Sequence, residues 1–406
     1  MRRLLAGLAL LAVAPVARAQ TTPAPLSRAD AVAAALDRGA RLGVARADSA
    51  AAFAGVVSAR GLLNPLLAAS YSKATPNYHV TLELPFDLPG VRRTRIGAAA
   101  AASRAARLRL AYERAAVALD ADTSYTLALA AAERARLARR TAADADSLRR
   151  IAVARRDAGD ASDLDVELAT LNAGQQENAA SAASLAEAAA LVELQGAIGL
   201  ASDVVAVAPT DTLGPPPPLP SPTTRTAGLS LPVAAAEQSL VSAQLAARLQ
   251  RRSVFTSPSL TAGVETGDPT GAEPGLLPTF GVAIPLPLLN RNRGAILLAD
   301  AERERARAEL TLAQVETRLR VGQAARERDA AVARVERDRR LVASASRVAA
   351  MSLTAYREGA SSLPNVLEAQ RNAREILAQY VDDLARAWIA TASLRVFTLT
   401  TTAAPR

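Results

Sequence analysis

The sequence predicts a mainly α protein with a small β part: very long coiled-coil helices joined to short strand hairpins, with the whole pattern written twice in tandem. Three observations carry this reading. The 406 residues are 50% hydrophobic but only 3% aromatic, and alanine supplies much of the hydrophobic half. Alanine with Arg, Glu and Leu makes helices that pack closely, not a core filled with rings. Residues 98–158 contain neither Gly nor Pro, and residues 295–358 contain only Gly322. An offset of 200 residues aligns one half of the chain with the other.

The offset pairs Pro85 with Pro285, Leu88 with Leu288, Arg93 with Arg293 and Ile96 with Ile296. It continues through Gly159 and Gly359, Ser162 and Ser362, Val166 and Val366, and Asn172 and Asn372. Alanine pairs would be coincidences in this composition; Pro, Gly, Ile and Asn pairs at one offset point to a tandem duplication.

Taken in order, residues 1–19 read as a signal peptide. Arg2 and Arg3 form the basic region, residues 4–16 the short apolar stretch, and Ala17, Arg18 and Ala19 the small-x-small cleavage site. No cysteine follows, which excludes a lipid anchor there. The first repeat, 20–209, has a helix over 27–60 opened by Ser27 and Asp30, a hairpin over 62–88 and a long helix over 96–158. A turn at Gly159 then leads to a helix over 163–199. Residues 210–229, with four consecutive prolines from Pro215, read as an extended linker. The second repeat, 230–397, repeats the layout: a helix over 231–252, a hairpin over 257–288 and a long helix over 295–358. A turn at Gly359 and a helix over 364–397 complete it, before a polar tail over 398–406. Helices of this length need partners along their whole seam. Leu312, Val315 and Leu319 keep the expected 3-4 spacing.

Composition removes several function classes. Without cysteine there is no disulfide framework, thiolate nucleophile or zinc–thiolate site. One histidine, His79, excludes a multi-histidine metal centre, and any Ser-His-Asp triad would have to use it. The net charge of +9 falls to +6 when Arg2, Arg3 and Arg18 leave with the signal. Lys73 is the only lysine, and the arginines alternate with acids as on a solvated helix face, so no nucleic-acid partner is expected.

The strands carry the most discriminating pattern, an alternation of period two. Tyr78, Val80, Leu82, Leu84 and Phe86 share one face, against His79, Thr81 and Glu83. Leu260, Ala262 and Val264 oppose Thr261, Gly263 and Glu265. Phe280, Val282, Ile284 and Leu286 oppose Thr279, Gly281 and Ala283. Leu67, Ala69 and Tyr71 form a weaker first strand. Strands with one apolar and one polar face fit an outer-membrane barrel; soluble hairpins packed on helices are the plainer alternative. Four strands cannot close a barrel, and open edges do not survive in lipid, so several chains must share one.

The chain then resembles a known family. Tyr356, Arg357, Glu358 and Gly359, followed by Val366, Leu367, Glu368, Ala369 and Gln370, together with Gly159, Leu164, Asp165 and Val166, resemble the TolC-like outer membrane efflux proteins over residues 26–397. The stretch from Pro285 to Gly294 resembles the heavy-metal-efflux branch. The resemblance implies a homotrimer with one shared 12-stranded transmembrane β-barrel and a long α-helical tunnel. It also implies a periplasmic adaptor, an inner-membrane efflux pump, outer-membrane lipid around the barrel, no cofactor and no enzymatic activity. The function it implies is passive export. The competing reading is a soluble periplasmic coiled-coil scaffold or adaptor without a pore.

The resemblance also implies site residues. Asp165, Tyr356, Asn365 and Glu368 fall at the periplasmic gate, with Asn365 standing where the family has an acid and Ser361 where it can have an arginine. Asp165 and Glu368 read equally well as ordinary acids at helix N-termini. The turns Ala158, Gly159, Asp160 and Glu358, Gly359, Ala360 are the adaptor contacts. His79, Thr81, Glu83, Thr261 and Glu265 would face the barrel lumen, and Tyr78, Val80, Leu82, Phe86, Phe280, Val282 and Ile284 the lipid. Arg92, Arg93, Arg95, Arg291 and Arg293 follow the strands, where they would meet lipid head groups or stand as exposed helix-start arginines.

Overall fold

A computed structural model of the chain describes residues 23–200, 204–219, 228–254, 258–267 and 275–401. The expected signal peptide, part of the linker and the last residues of the tail lie outside the described residues.

Two short helices open the fold, α1 (Arg28–Arg38) and α2 (Ala40–Arg60). Ser27 caps α1, its side chain accepting a hydrogen bond from the Asp30 backbone N–H. The sequence predicts one helix here; Gly39 divides it. Its ψ of 115° leaves the helical range, and its carbonyl accepts from the N–H groups of Leu42 and Gly43 to start α2. A strand pair of three residues each was also not anticipated: β1 (Ala24–Leu26) runs parallel to β4 (Val207–Pro209) and ties the start of the chain to the linker. The bridge between Ser230 and Thr400 makes a comparable tie near the end.

Four antiparallel strands form one sheet in the order β2 (Leu66–Tyr71), β3 (Tyr78–Pro85), β5 (Ser259–Thr266) and β6 (Leu277–Ala283). Phe86 and Ile284 lie just beyond the strand ends. The long helices are α3 (Val91–Asp157) and α6 (Arg293–Arg357), each about 100 Å at ~1.5 Å per residue. Both begin earlier than the expected 96 and 295, because left-handed residues, Gly90 at φ 82° and Asn292 at φ 58°, turn the chain directly from sheet to helix. Gly322 leaves α6 uninterrupted. Each is followed after a tight turn by a 35-residue helix, α4 (Asp163–Ala197) or α7 (Leu363–Phe397). The remaining helix, α5 (Leu231–Arg252), is the counterpart of α2.

Contacts place the helices side by side in an open ribbon. Near the sheet the order is α2–α3–α5–α6, following the strand order above it. Towards the turns it is α4–α3–α7–α6. Alanine dominates the buried positions of α3, including Ala101, Ala105, Ala121, Ala128, Ala135, Ala145 and Ala152, so neighbouring helices approach closely. The largest buried cluster surrounds Tyr125 with Leu42, Leu194 and Ile198, where both helical levels meet β1 and β4.

Candidate functional site

The candidate site residues lie at two ends of the fold, the helical turns and the sheet. At the turns, Gly159 and Gly359 adopt φ of 82° and 77°. Both turns make the same hydrogen bonds. Asp160 N–H donates to the Arg155 carbonyl and Ala360 N–H to that of Ala355, each at 2.8 Å, while the glycine N–H groups donate to the carbonyls of Arg156 and Tyr356. This double bond is the Schellman closure of a helix C-terminus, which needs a residue at positive φ. Ala158, Gly159, Asp160, Glu358, Gly359 and Ala360 are all exposed.

The two turns meet beneath a small core of Leu148, Ala152, Ala169, Tyr356, Leu363 and Val366. Arg155 joins them, a residue that no motif or period in the sequence singles out. Its guanidinium lies 4.7 Å from the Tyr356 ring centroid. It donates to the Tyr356 carbonyl at 2.8 Å and to the Asp160 carbonyl at 3.1 Å. Tyr356 is 2% exposed, and its phenol oxygen is buried without a hydrogen-bond partner among the described residues. Burial, then the nearby Asp165 charge, raises the phenol above its ordinary range.

The four gate candidates make different contacts. Asp165 sits in the first turn of α4 as one half of a capping box: its backbone N–H donates to the Ser162 hydroxyl, and its carboxylate accepts from the Ser162 N–H, each at 3.2 Å. The Asp165 charge acts on the Tyr356 phenol. Asn365 is exposed, beside the Ser362 cap of α7. Glu368, also exposed, accepts from Arg371 at 2.9 Å and Asn372 at 3.3 Å on its own helix. Such exposed pairs contribute little to stability.

At the other end, the register gathers the strand residues into two faces. Tyr78, Val80 and Leu82 sit opposite Tyr71, Ala69 and Leu67 on one side and Thr266, Val264 and Ala262 on the other. Phe280 and Val282 continue this face opposite Ala262 and Leu260. The large apolar members are exposed, Phe280 to 81%. Phe86 and Ile284, beyond the strands, are exposed too. Tyr71 and Tyr78 pack against each other at one rim, ring centroids 5.3 Å apart and planes tilted by 54°. On the opposite face, His79 is paired with Glu265 and Glu83 with Thr261, and Thr81 lies between them. His79 Nδ1 is 3.4 Å from the Glu265 carboxylate.

The basic cluster is divided. Arg92, Arg93 and Arg95 lie inside the first turns of α3, not ahead of it. Arg92 donates to the Arg60 carbonyl at 2.8 Å. Arg95 makes two 2.8 Å bonds to Asp87 and one of 3.2 Å to the Ala59 carbonyl. These two arginines therefore close the C-terminus of α2 rather than standing without partners. Arg93, Arg291 and Arg293 are exposed.

Among the described residues no helix is long and apolar enough to cross a membrane, which says nothing of a β-barrel. Nor do three or more His, Cys, Asp or Glu side chains gather to hold a metal.

No family model and no curated protein matches this chain by sequence. Solved structures do match its fold. A membrane protein from Pseudomonas aeruginosa aligns with a TM-score of 0.78 at 20% identity, covering 92% of this chain and 93% of that one. The outer-membrane channel OprN aligns at 0.77 and 17% identity, covering 93% and 90%. The outer membrane protein VceC from Vibrio cholerae aligns at 0.74 and 16% identity, covering 91% and 96%. The chain has the fold of TolC-like outer-membrane channels.

Proposed function

We propose that this protein is the outer-membrane duct of a tripartite efflux system, a passive, non-catalytic channel. In this reading three copies close their ribbons into a tunnel and their sheets into one 12-stranded barrel. One observation carries the proposal: the ribbon is open, and its edges are apolar at both levels. Near the sheet, Val44, Phe53 and Val57 are exposed on α2, and Leu297, Leu298, Leu312, Val315 and Leu319 on α6. Towards the turns, Leu164, Leu171 and Leu185 are exposed on α4, and Leu341, Val348 and Met351 on α6. Leu164, Leu171 and Leu185 fall on one seven-residue repeat, and Leu341 and Val348 on another, which is the spacing of a seam awaiting a partner helix. Strands β2 and β6 likewise form the outer edges of the sheet. An edge that matches the opposite edge of the same molecule makes a head-to-tail contact, which closes as a ring when the rotation between copies permits.

The exposed apolar sheet face would then meet lipid. His79, Thr81, Glu83, Thr261 and Glu265 would line the lumen, where the trimer would hold six carboxylates from Glu83 and Glu265. Arg93, Arg291 and Arg293 are available to head groups. The Gly159 and Gly359 turns would receive the periplasmic adaptor that links the duct to an inner-membrane pump, and the Arg155–Tyr356 contact would help hold the mouth. A soluble scaffold would leave the apolar sheet face in water, which large apolar patches rarely tolerate. Outer-membrane fractionation combined with chemical cross-linking tests the reading. The expected result is a membrane-embedded species that cross-links to trimers and no further. A soluble periplasmic monomer would refute it.

A further inference from the structure

Where the sheet hands over to the helices, the first repeat forms a groove of about 790 Å³. Its apolar wall is Leu62, Leu63, Leu84, Phe86, Leu88 and Ile96. Leu84 and Phe86 are the last members of the apolar face of β3, so the groove continues that face beyond the strand. Leu62 and Leu63, which precede β2, close it from the α2 side and are 78% and 40% exposed. Leu84 and Phe86 are exposed as well. Apolar side chains gathered around one open depression gain free energy when an apolar occupant takes their surface out of water.

The same groove is lined by Arg92 and Arg93, both exposed. Asp87 is the one acid among its lining residues, and it is already neutralised: Arg95 donates to its two carboxylate oxygens, each at 2.8 Å. Arg92 gives an N–H to the Arg60 carbonyl, a neutral acceptor that leaves the guanidinium charge uncompensated. The groove therefore asks for an occupant that is apolar along its length and anionic at one end. We propose that it binds one anionic phospholipid per copy, with acyl chains along Leu62, Leu63, Leu84 and Phe86 and the phosphate at Arg92 and Arg93. The proposal rests on the duct reading, which puts the apolar sheet face in lipid.

Charge favours lipid over a second copy as the occupant. In the proposed duct a neighbouring copy would bring its β6–α6 connection to this side, and that connection carries Arg291 and Arg293, of the same sign as Arg92 and Arg93. A phosphodiester instead offers acceptor oxygens and a negative charge, which guanidinium groups bind well. The second repeat supplies an internal comparison. At the offset of 200, Asn292 stands in place of Arg92, and its amide donates to the Gln250 carbonyl at 2.9 Å. Leu286 and Leu288, the counterparts of Phe86 and Leu88, are 68% and 75% exposed. Arg291 and Arg293 thus represent a basic surface that lacks the Arg92–Arg93 pair.

Native mass spectrometry of the full-length protein in non-ionic detergent tests this, with phosphatidylglycerol, phosphatidylethanolamine of the same chains, or glycerol phosphate added. The expected result is retention of up to one phosphatidylglycerol per copy, weaker retention of phosphatidylethanolamine, and none of glycerol phosphate, which lacks the chains. Arg92→Gln with Arg93→Gln should weaken phosphatidylglycerol retention about 30-fold, roughly fivefold for each arginine and its square for two. Leu62→Glu, at an exposed position that tolerates the change in folding, should weaken it too by placing an acid in the groove. Arg291→Gln with Arg293→Gln should leave it unchanged. Equal retention of the two lipids, equal loss from the two arginine pairs, or glycerol phosphate binding as tightly as lipid would each overturn the proposal. So would lipid bound by monomers but excluded from trimers, which would give the groove to a second copy. A trimer that conducts yet retains no phosphatidylglycerol would remove the lipid site alone, whereas a soluble monomer would remove the duct reading and the site with it.

Discussion

Arg155 and Tyr356 are separated by 201 positions in sequence, yet they link the two turns directly. What the link uses is the tyrosine ring and its main-chain carbonyl, not the phenol. Tyr356→Phe should therefore change thermal stability by well under ~1 kcal/mol, because it removes a buried hydroxyl with no partner. Arg155→Leu removes a cation–ring contact and two hydrogen bonds, and should destabilise the turn end by about 1–2 kcal/mol and raise open probability in bilayer recordings. The reverse order of effects would show that the hydroxyl is the working group. Gly159 is constrained differently. A Cβ there meets open space, so the cost of Gly159→Ala is backbone strain alone, about 1–2 kcal/mol. A bulky residue such as Gly159→Trp should abolish pump-dependent export while trimers still assemble, because the turn is exposed and a side chain built there meets open space. Unchanged export would remove the turn from the adaptor contact.

At the scale of elements, the strand alternation and the long helices were legible because each rests on a period repeated many times. The register joins Leu67, Ala69 and Tyr71 to the same face as Tyr78, Val80 and Leu82, as the alternation implied. Elements without a period were not legible. β1 and β4 have three residues each, too few to alternate, and their pairing spans most of the first half of the chain. The break at Gly39 was invisible because glycine inside a helical pattern is often tolerated, as it is at Gly322 of α6. Capping roles were legible where the sequence supplied a cap, as at Ser27. The use of Arg92 and Arg95 on the α2 carbonyls was not, since it depends on the sheet returning α3 beside α2. Within the sheet, Gly263 lets two strands approach closely. A Cβ there would lie 2.8 Å from the Thr81 methyl and from the Val80 carbonyl oxygen. Gly263→Val should open the β3–β5 seam and lower the yield of heat-resistant oligomer from outer membranes. An unchanged yield would show that the seam can absorb the side chain.

For the whole molecule, the exposed apolar side chains on both edges of the ribbon carry the proposed reading. In the proposed duct the chain is a wall whose inner surface forms when copies join. Phe53→Glu on one edge or Leu312→Glu on the other should shift purified protein from trimer towards monomer, because each places a charge in the seam between copies. Size-exclusion chromatography with light scattering reads this directly, and unaltered trimer in both variants would move the contact elsewhere. The site was only partly legible at this scale. The turns and strand faces could be named from residues, but Arg155, which joins the two turns, acts across contacts that no local pattern encodes.

If these walls enclose a water-filled path through a membrane, the purified protein must conduct. Single-channel recording in a planar bilayer measures this most directly. Discrete, uniform conductance steps are expected, becoming larger or more frequent in Arg155→Leu. Protein that inserts into the bilayer as trimers yet passes no current, in the wild type and in Arg155→Leu alike, would contradict the duct.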